Sequence, residues 1–295
     1  MDSVVILIAA PGSRAIGPAM VSRLRDLTGH PPQWLSKGEV LETFVATATP
    51  ELRAELGLLV KDHPIDVAIV PAQHRSQRRK RLLIADMDST MIGQECIDEL
   101  GALAGVGDRI KAITLSAMRG ELDFEQALKA RLALMKDLPE AAIGRVLKER
   151  ITFTPGGRTL IATMRAHGAY AALVSGGFVQ FTGHVATELG FDEHRANELL
   201  IEDGKLTGGV REPILGKDAK VQALTDLTHR LGLSLEDTIA VGDGANDIPM
   251  LQASGLGVAL HAKPKVREAA AVSIVHGDLT ALLYLQGYWQ EEFAS

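Results

Sequence analysis

The pattern of apolar and polar positions divides the chain into two parts. Over residues 3–70, short apolar runs alternate with amphipathic stretches. Residues 3–9 form a β-branched run, and 17–27 carry apolar positions at helical spacing. Residues 34–35 and 41–48 read as a strand pair around Gly38, 51–60 as a helix, and 65–70 as a closing strand. The order βαββαβ is the split βαβ of a small α+β, ferredoxin-like unit. Each element is too short to stand alone, so this prediction rests on their order.

From residue 81 the pattern changes to short apolar strands separated by long helical stretches. Strands are predicted at 82–85, 169–174, 238–241, 256–260 and 272–275, and helices at 156–167, 179–189, 220–231 and 249–254. Such alternation specifies an α/β, doubly wound parallel sheet with helices on both faces. An almost wholly helical insertion, about 93–153, separates the first two strands, with helices predicted at 96–103, 109–118, 124–135 and 140–147. A simple crossover needs far fewer residues, so the insertion reads as a cap over the edge of the sheet where ligands bind.

Between the two parts, Arg75, Arg78, Arg79, Lys80 and Arg81 crowd seven positions. No aromatic residue interleaves them and the whole chain carries a net charge of −6, so the stretch reads as a solvated linker rather than a nucleic-acid patch. The predicted organisation is a unit at 1–72, a basic linker at 73–80 and a larger domain at 81–295.

Composition narrows the class further. Among 295 residues, 46% apolar and 23% charged, there is enough apolar surface for a sizeable core and no global charge that draws nucleic acid or anionic membrane. The single cysteine, Cys96, excludes an internal disulfide and an all-Cys zinc site, and reads as a small buried residue. The histidines share no ligand spacing. An acidic second residue and an apolar run broken by Pro11-Gly12 argue against a signal peptide, and no uncharged apolar stretch approaches the roughly 18 residues of a membrane span. The expected location is cytoplasmic.

The chemistry-bearing residues cluster just past predicted strand ends. Asp86-Met87-Asp88-Ser89-Thr90 follows the first core strand, Ser175-Gly176-Gly177 the second, and Gly242-Asp243-Gly244-Ala245-Asn246-Asp247 the third, with Lys220 opening the helix before the third. Each alone is an ordinary turn or surface lysine. A doubly wound sheet, however, brings its strand ends to one crevice. Three oxygen ligands suit Mg²⁺, while a lysine, a hydroxyl and glycine N–H groups suit a phosphoryl group. A carboxylate nucleophile beside a second carboxylate is a workable arrangement for transfer through an aspartyl-phosphate.

DMDST, SGG, the downstream lysine and GDGAND resemble the four motifs of the haloacid dehalogenase (HAD) superfamily of phosphohydrolases, across residues 81–287. DMDSTMIGQECIDELG, RLALMKDLP, LVSGGF and VGDGANDIPML resemble more narrowly the phosphoserine phosphatases within it. The resemblance implies a HAD-like, Rossmann-like core with a helical cap, acting in Mg²⁺-dependent hydrolysis of O-phospho-L-serine, the last step of serine synthesis. It implies Asp86 as nucleophile, Asp88 as general acid and then base, and Lys220 as the charge that stabilises the transition state. Asp86, the Asp88 carbonyl and Asp243 match the Mg²⁺ ligands, and Ser175, Gly176 and Asn246 the phosphoryl contacts. Asp247 matches a support beside metal or lysine. In the cap, Glu95 matches the group that receives the substrate ammonium and Arg131 the grip on its carboxylate, with Phe124 lining the pocket. The alternatives are another small phosphomonoester, such as phosphohomoserine or phosphothreonine, or a regulatory binding protein with an inactive core, which the intact Asp86, Asp88, Lys220 and Asp243 oppose. The N-terminal unit is ACT-like by element order only, and is the expected route to a homo-oligomer if one forms.

Overall fold

The computed structural model describes residues 2–294, with the side chains of all of them but Arg75, Ser76, Met118 and Lys217, and its two periodicities become two sheets. The N-terminal part runs β1 (Ser3–Ala9), α1 (Pro18–Thr28), β2 (Gln33–Ser36), β3 (Val40–Val45), α2 (Pro50–Val60) and β4 (Ile65–Pro71). Its antiparallel sheet has the order β2-β3-β1-β4, the ferredoxin-like arrangement that the βαββαβ order predicts. Local signals support the elements. The Thr49 hydroxyl accepts the Leu52 N–H at 3.2 Å to cap α2, with Pro50 in the first turn.

Every residue of β1 after Ser3 is buried because both faces of this sheet are covered. Val5 and Leu7 pack with Leu24 and Leu56 under the helices. Val4, Ile6 and Ile8, pointing the other way, join one continuous core with Leu83, Leu283 and Tyr288 of the larger part. The two parts therefore share a hydrophobic core.

This seam also corrects the reading of the basic stretch. Residues 73–80 are solvated only in part: Gln73, His74 and Gln77 are exposed, while residues 78–80 are engaged with the rest of the protein. After the short α3 (Arg75–Arg78), Arg78 is 5% exposed and donates to Glu42 at 2.7 Å. Arg79 lies over the Tyr288 ring at 4.2 Å and pairs with Glu292, while Lys80 Nζ donates to the Glu236 carbonyl at 2.7 Å. Glu42 stands opposite Ile6 in the ladder and so faces the seam, where a buried carboxylate requires a cation. The side chain of Arg75 lies outside the described residues.

The larger part continues with β5 (Leu82–Ala85), the cap helices α4 (Cys96–Leu103), α5 (Gly107–Met118), α6 (Phe124–Ala133) and α7 (Ala141–Glu149), and then α8 (Gly157–Ala166), β6 (Tyr170–Phe178) and α9 (Val179–Leu189). Next come β7 (Glu193–Asn197), the hairpin β8 (Leu199–Glu202) and β9 (Lys205–Val210), α10 (Lys217–Leu231), β10 (Thr238–Gly242) and α11 (Ile248–Ala253). The chain ends through β11 (Leu256–Leu260), α12 (Pro264–Ala269), β12 (Val272–Ile274) and α13 (Ala281–Leu285). The sheet is parallel throughout, in the order β12-β11-β10-β5-β6-β7. The chain moves from β5 to one side and later returns to the other. The carboxyl ends of β5, β6 and β10 are thus adjacent.

Three features depart from the sequence reading. The sixth strand, β7, is an edge strand of charged sequence, EHRAN, with no apolar run to signal it. The β8–β9 hairpin turns at Asp203-Gly204 and pairs with the cap through Pro139 and Lys205. Lys220 lies inside α10, which starts at Lys217, instead of opening the helix. Among the described residues, no helix is long and apolar enough to cross a membrane.

Candidate active site

The end of β5 turns sharply into Asp86. Its backbone N–H is held by the Val241 carbonyl of β10 at 3.0 Å, and its carboxylate Oδ1 accepts the Met87 N–H at 2.8 Å. Lys220 Nζ approaches the same Oδ1 at 2.8 Å, so Oδ2 takes neither bond. Lys220 also pairs with Asp247 Oδ1, and the two side chains are 2% and 0% exposed. Asp247 Oδ2 accepts the N–H groups of Asp243 (3.1 Å) and Gly244 (2.9 Å), so one carboxylate both anchors the lysine and shapes the GDGAND loop. Gly242 is required there, because a Cβ at that position would overlap the Asp247 carboxylate. The Thr90 hydroxyl donates to Asp243 Oδ1 at 2.9 Å.

Carboxylate oxygens of Asp86, Asp243 and Asp247 all lie within 4.8 Å of one another. Burial and the neighbouring Asp247 raise the Asp86 carboxyl well above its ordinary range, against the opposing pull of Lys220. Burial likewise lifts Asp243 to about 6. Burial works against the Lys220 charge, but Asp86 and Asp247 outweigh it and hold the ammonium above its ordinary value. One cation among three carboxylates, those of Asp86 and Asp247 buried and that of Asp243 partly so, leaves negative charge uncompensated. The donors are hard oxygens, as a divalent cation of the Mg²⁺ or Ca²⁺ class requires. Asp86 and Asp243 each keep an oxygen free of the bonds above, so the residues present fit a metal ion.

Ser175–Gly177 do not follow strand β6 as expected. They form its irregular end, where the register against β7 shifts between Val174 and Phe178. This kink folds the Ser175 hydroxyl back to accept the Gly177 N–H at 2.9 Å. A Cβ on Gly177 would stand 3.2 Å from Asp88 Oδ2, which places the second aspartate directly against this loop. Asn246 folds its amide oxygen back over Gly244, in the same crevice.

Asn197, at the end of β7, is a residue the sequence reading missed. It is 2% exposed, and its amide donates to the carbonyls of Gly176 (2.9 Å) and Leu215 (3.2 Å) and accepts the Leu215 N–H (2.7 Å). It ties the SGG loop to the chain entering α10. The strand that carries it had no hydrophobic signature, so only an asparagine in a charged run could have flagged it.

The cap brings its three predicted residues to this crevice. Phe124, at the start of α6, would lie 3.3 Å from a Cβ on Gly176 and 3.6 Å from one on Gly216. The Ser89 hydroxyl, on a residue of positive φ (55°), donates to Glu95 Oε1 at 2.7 Å. Burial, then Glu95, lift Asp88 to about 7, a value suited to giving and taking a proton near neutrality. Arg131 is bonded through Nε to the Ala127 carbonyl of its own helix at 3.2 Å. Burial lowers its pKa, opposed by Asp98, Glu95 and Asp88, so its guanidinium lies within the field of Asp88 and Glu95. Cys96 is wholly buried, and burial raises its thiol, consistent with a packed residue and not a nucleophile.

A model of the haloacid dehalogenase-like hydrolases matches residues 83–252. Phosphoserine phosphatases resemble the chain at 44% identity in Streptomyces coelicolor (83% of this chain, 59% of the relative) and at 42% in Methanocaldococcus jannaschii (70% and 98%). The chain thus spans little more than half the length of the Streptomyces relative. Among solved structures, a HAD-family hydrolase from Salmonella enterica serovar Typhi superposes with a TM-score of 0.84 at 32% identity, covering 96% of this chain and 98% of that one. The buried Asp86–Lys220–Asp247 cluster at the strand ends, the capped crevice above it and these matches lead to one assignment: the chain belongs to the haloacid dehalogenase-like hydrolase family.

Proposed function

We propose that the chain is a Mg²⁺-dependent phosphatase that hydrolyses O-phospho-L-serine to L-serine and phosphate. The observation that carries the reading is the pairing of Lys220 with Asp86 and Asp247 in a buried site. It gives a carboxylate nucleophile held in place, and a fixed positive charge where a phosphoryl group would sit. One carboxylate oxygen of Asp86 attacks phosphorus. As the bond to the seryl oxygen breaks, Asp88 gives that oxygen its proton and L-serine departs. Asp88, now a carboxylate, takes a proton from water, which attacks the aspartyl-phosphate and frees Asp86 and phosphate. Ser175, the Gly176 N–H and Asn246 hold phosphoryl oxygens, and Asp247 keeps Lys220 aimed. Asp86, the Asp88 carbonyl and Asp243 would hold Mg²⁺, whose charge, when it is bound, offsets these carboxylates and the phosphoryl oxygens.

The choice of phosphoserine draws on the names of the relatives and on the cap. Glu95 and Arg131, opposite charges both within the field of Asp88, suit an ammonium and a carboxylate. Phe124 walls the pocket above Gly176. The test is turnover of phosphoserine, phosphothreonine, phosphohomoserine and p-nitrophenyl phosphate, with Mg²⁺ and with excess chelator. The reading expects phosphoserine to lead in kcat/KM by at least about tenfold and all activity to vanish on chelation. A flat profile overturns the substrate, and full activity in chelator overturns the metal.

A further inference from the structure

One buried carboxylate of the N-terminal sheet grips a turn of the larger part. Asp66 on β4 is 5% exposed and pairs with Ile8 in the ladder, so it faces the seam. Its oxygens accept three consecutive backbone N–H groups from the turn after β12: Val275 at 2.9 Å, His276 at 2.9 Å and Gly277 at 2.8 Å. An ionised carboxylate accepts only, and three charge-assisted bonds fix that turn more firmly than a neutral side chain would. The turn has little freedom elsewhere. The His261 ring bonds the Gly277 carbonyl at 2.8 Å, and a Cβ on Gly277 would stand 3.4 Å from Ile8 Cγ2 across the seam.

The same turn leads into the segment that holds the cap's hinge. Leu279 N–H donates to the Pro155 carbonyl at 3.1 Å. Gly156, at φ 80°, packs so closely that a Cβ would lie 2.7 Å from the Thr280 nitrogen. A Cβ on Gly157 would meet Leu279 Cδ1 at 3.3 Å and Met91 Cε at 3.2 Å. Residues 152–154 are the chain returning from the cap and 91–93 the chain leaving for it. They pair through Gly93 N–H to Thr152 O and Thr154 N–H to Met91 O, both 3.0 Å, and through the Ile92–Phe153 bridge. Met91 N–H in turn bonds the Met87 carbonyl at 2.9 Å, beside both catalytic aspartates.

We propose that Asp66 is a positioning residue for the cap: through the 275–280 segment it fixes the two-stranded hinge from which Glu95, Phe124 and Arg131 hang. Close packing, with no room for a Cβ at Gly156, transmits a displacement instead of absorbing it. Loosening the turn therefore loosens the hinge, and the N-terminal sheet serves substrate recognition without contributing a group to the pocket.

The test compares Asp66→Asn with the parent full-length chain in two arms. The kinetic arm rests on the phosphoserine reading. The variant is expected to raise KM for phosphoserine about tenfold, with kcat for phosphoserine and kcat/KM for p-nitrophenyl phosphate changed less than about twofold. The second arm, hydrogen–deuterium exchange, does not depend on the substrate. Amides of 91–93 and 152–157 are expected to exchange faster in the variant while those of β10 do not. Asp278→Ala removes the side chain that accepts the Thr280 N–H at 2.8 Å, at the far end of the same segment. It is expected to give the same split, and stands in for Asp66→Asn if that variant fails to fold. Unchanged hinge exchange overturns the proposal, as does an equal loss on both substrates. Faster hinge exchange without a preference for phosphoserine in the parent chain sustains the hinge and overturns only the substrate.

Discussion

The floor and the roof of the crevice are built differently. On the floor, Asp86, Lys220, Asp247 and the Asp243–Gly244 backbone bond one another in a buried cluster, held before any substrate arrives. On the roof, Arg131 is bonded to a carbonyl of its own helix and Glu95 to the nearby Ser89, local bonds on partly exposed residues. The contrast follows from the tasks proposed for them. Groups that stabilise transferring charge work best when preorganised in a dry site, whereas groups that recognise a substrate must let it enter. The floor is expected to tolerate almost no change, and the roof to tolerate change at the expense of selectivity.

The largest effect that could break this contrast belongs to the floor. Asp86→Asn keeps the shape and removes the proposed nucleophile, and turnover is expected to fall more than about a thousandfold with the fold intact by circular dichroism. Asp88→Asn should cost about 10²–10⁴-fold, the range for lost acid–base help. A tenth of parent turnover in Asp86→Asn would remove the covalent route.

On the roof, Arg131→Ala should lower kcat/KM for phosphoserine by at least tens of fold, the lower end of the about 2–5 kcal/mol of an abandoned charge partner. For p-nitrophenyl phosphate it should change little. Equal losses on both substrates would move Arg131 to the floor, and no loss on either would leave it a plain helix arginine.

The smallest effect sharpens the electrostatic side of the comparison. Folding raises Asp88 to about 7 and Asp243 to about 6, so between their ordinary values and these the folded state binds more protons than the unfolded chain. Stability from these groups is then fully present below the ordinary carboxylate range, and is lost as pH rises through about 6 and 7. In chelator, the Tm should fall from pH 5 to pH 8 by a few degrees. Asp243→Asn should flatten that slope, and Mg²⁺ should recover the loss at pH 8 by binding the folded state. A slope identical in parent and variant would show that Asp243 is not a source of this pH dependence.

The elements of the fold that were readable in advance are those with local signals. Alternation in the N-terminal unit and βα repeats in the larger part announced both sheets, and the polar clusters after strands β5 and β10 announced the floor. Strand β7 escaped because an edge strand of sequence EHRAN needs no apolar face. With it escaped Asn197, whose amide joins Gly176 to Leu215. The Ser175–Gly177 turn was visible as glycines, but its bulged place at the end of β6 was not.

The sequence by itself determined which side chains could do chemistry, because reactive carboxylates, a lysine and glycine-rich turns at strand ends are local patterns. Tertiary structure alone decided what holds them. Asp66 reads locally as an acid in an apolar run, and only the fold puts it against the amides of residues 209 to 211 positions away. Arg78 reads as one charge among five, and only the fold buries it on Glu42. Burial makes such polar residues choose a partner, and which partner is at hand depends on contacts between segments far apart in the chain.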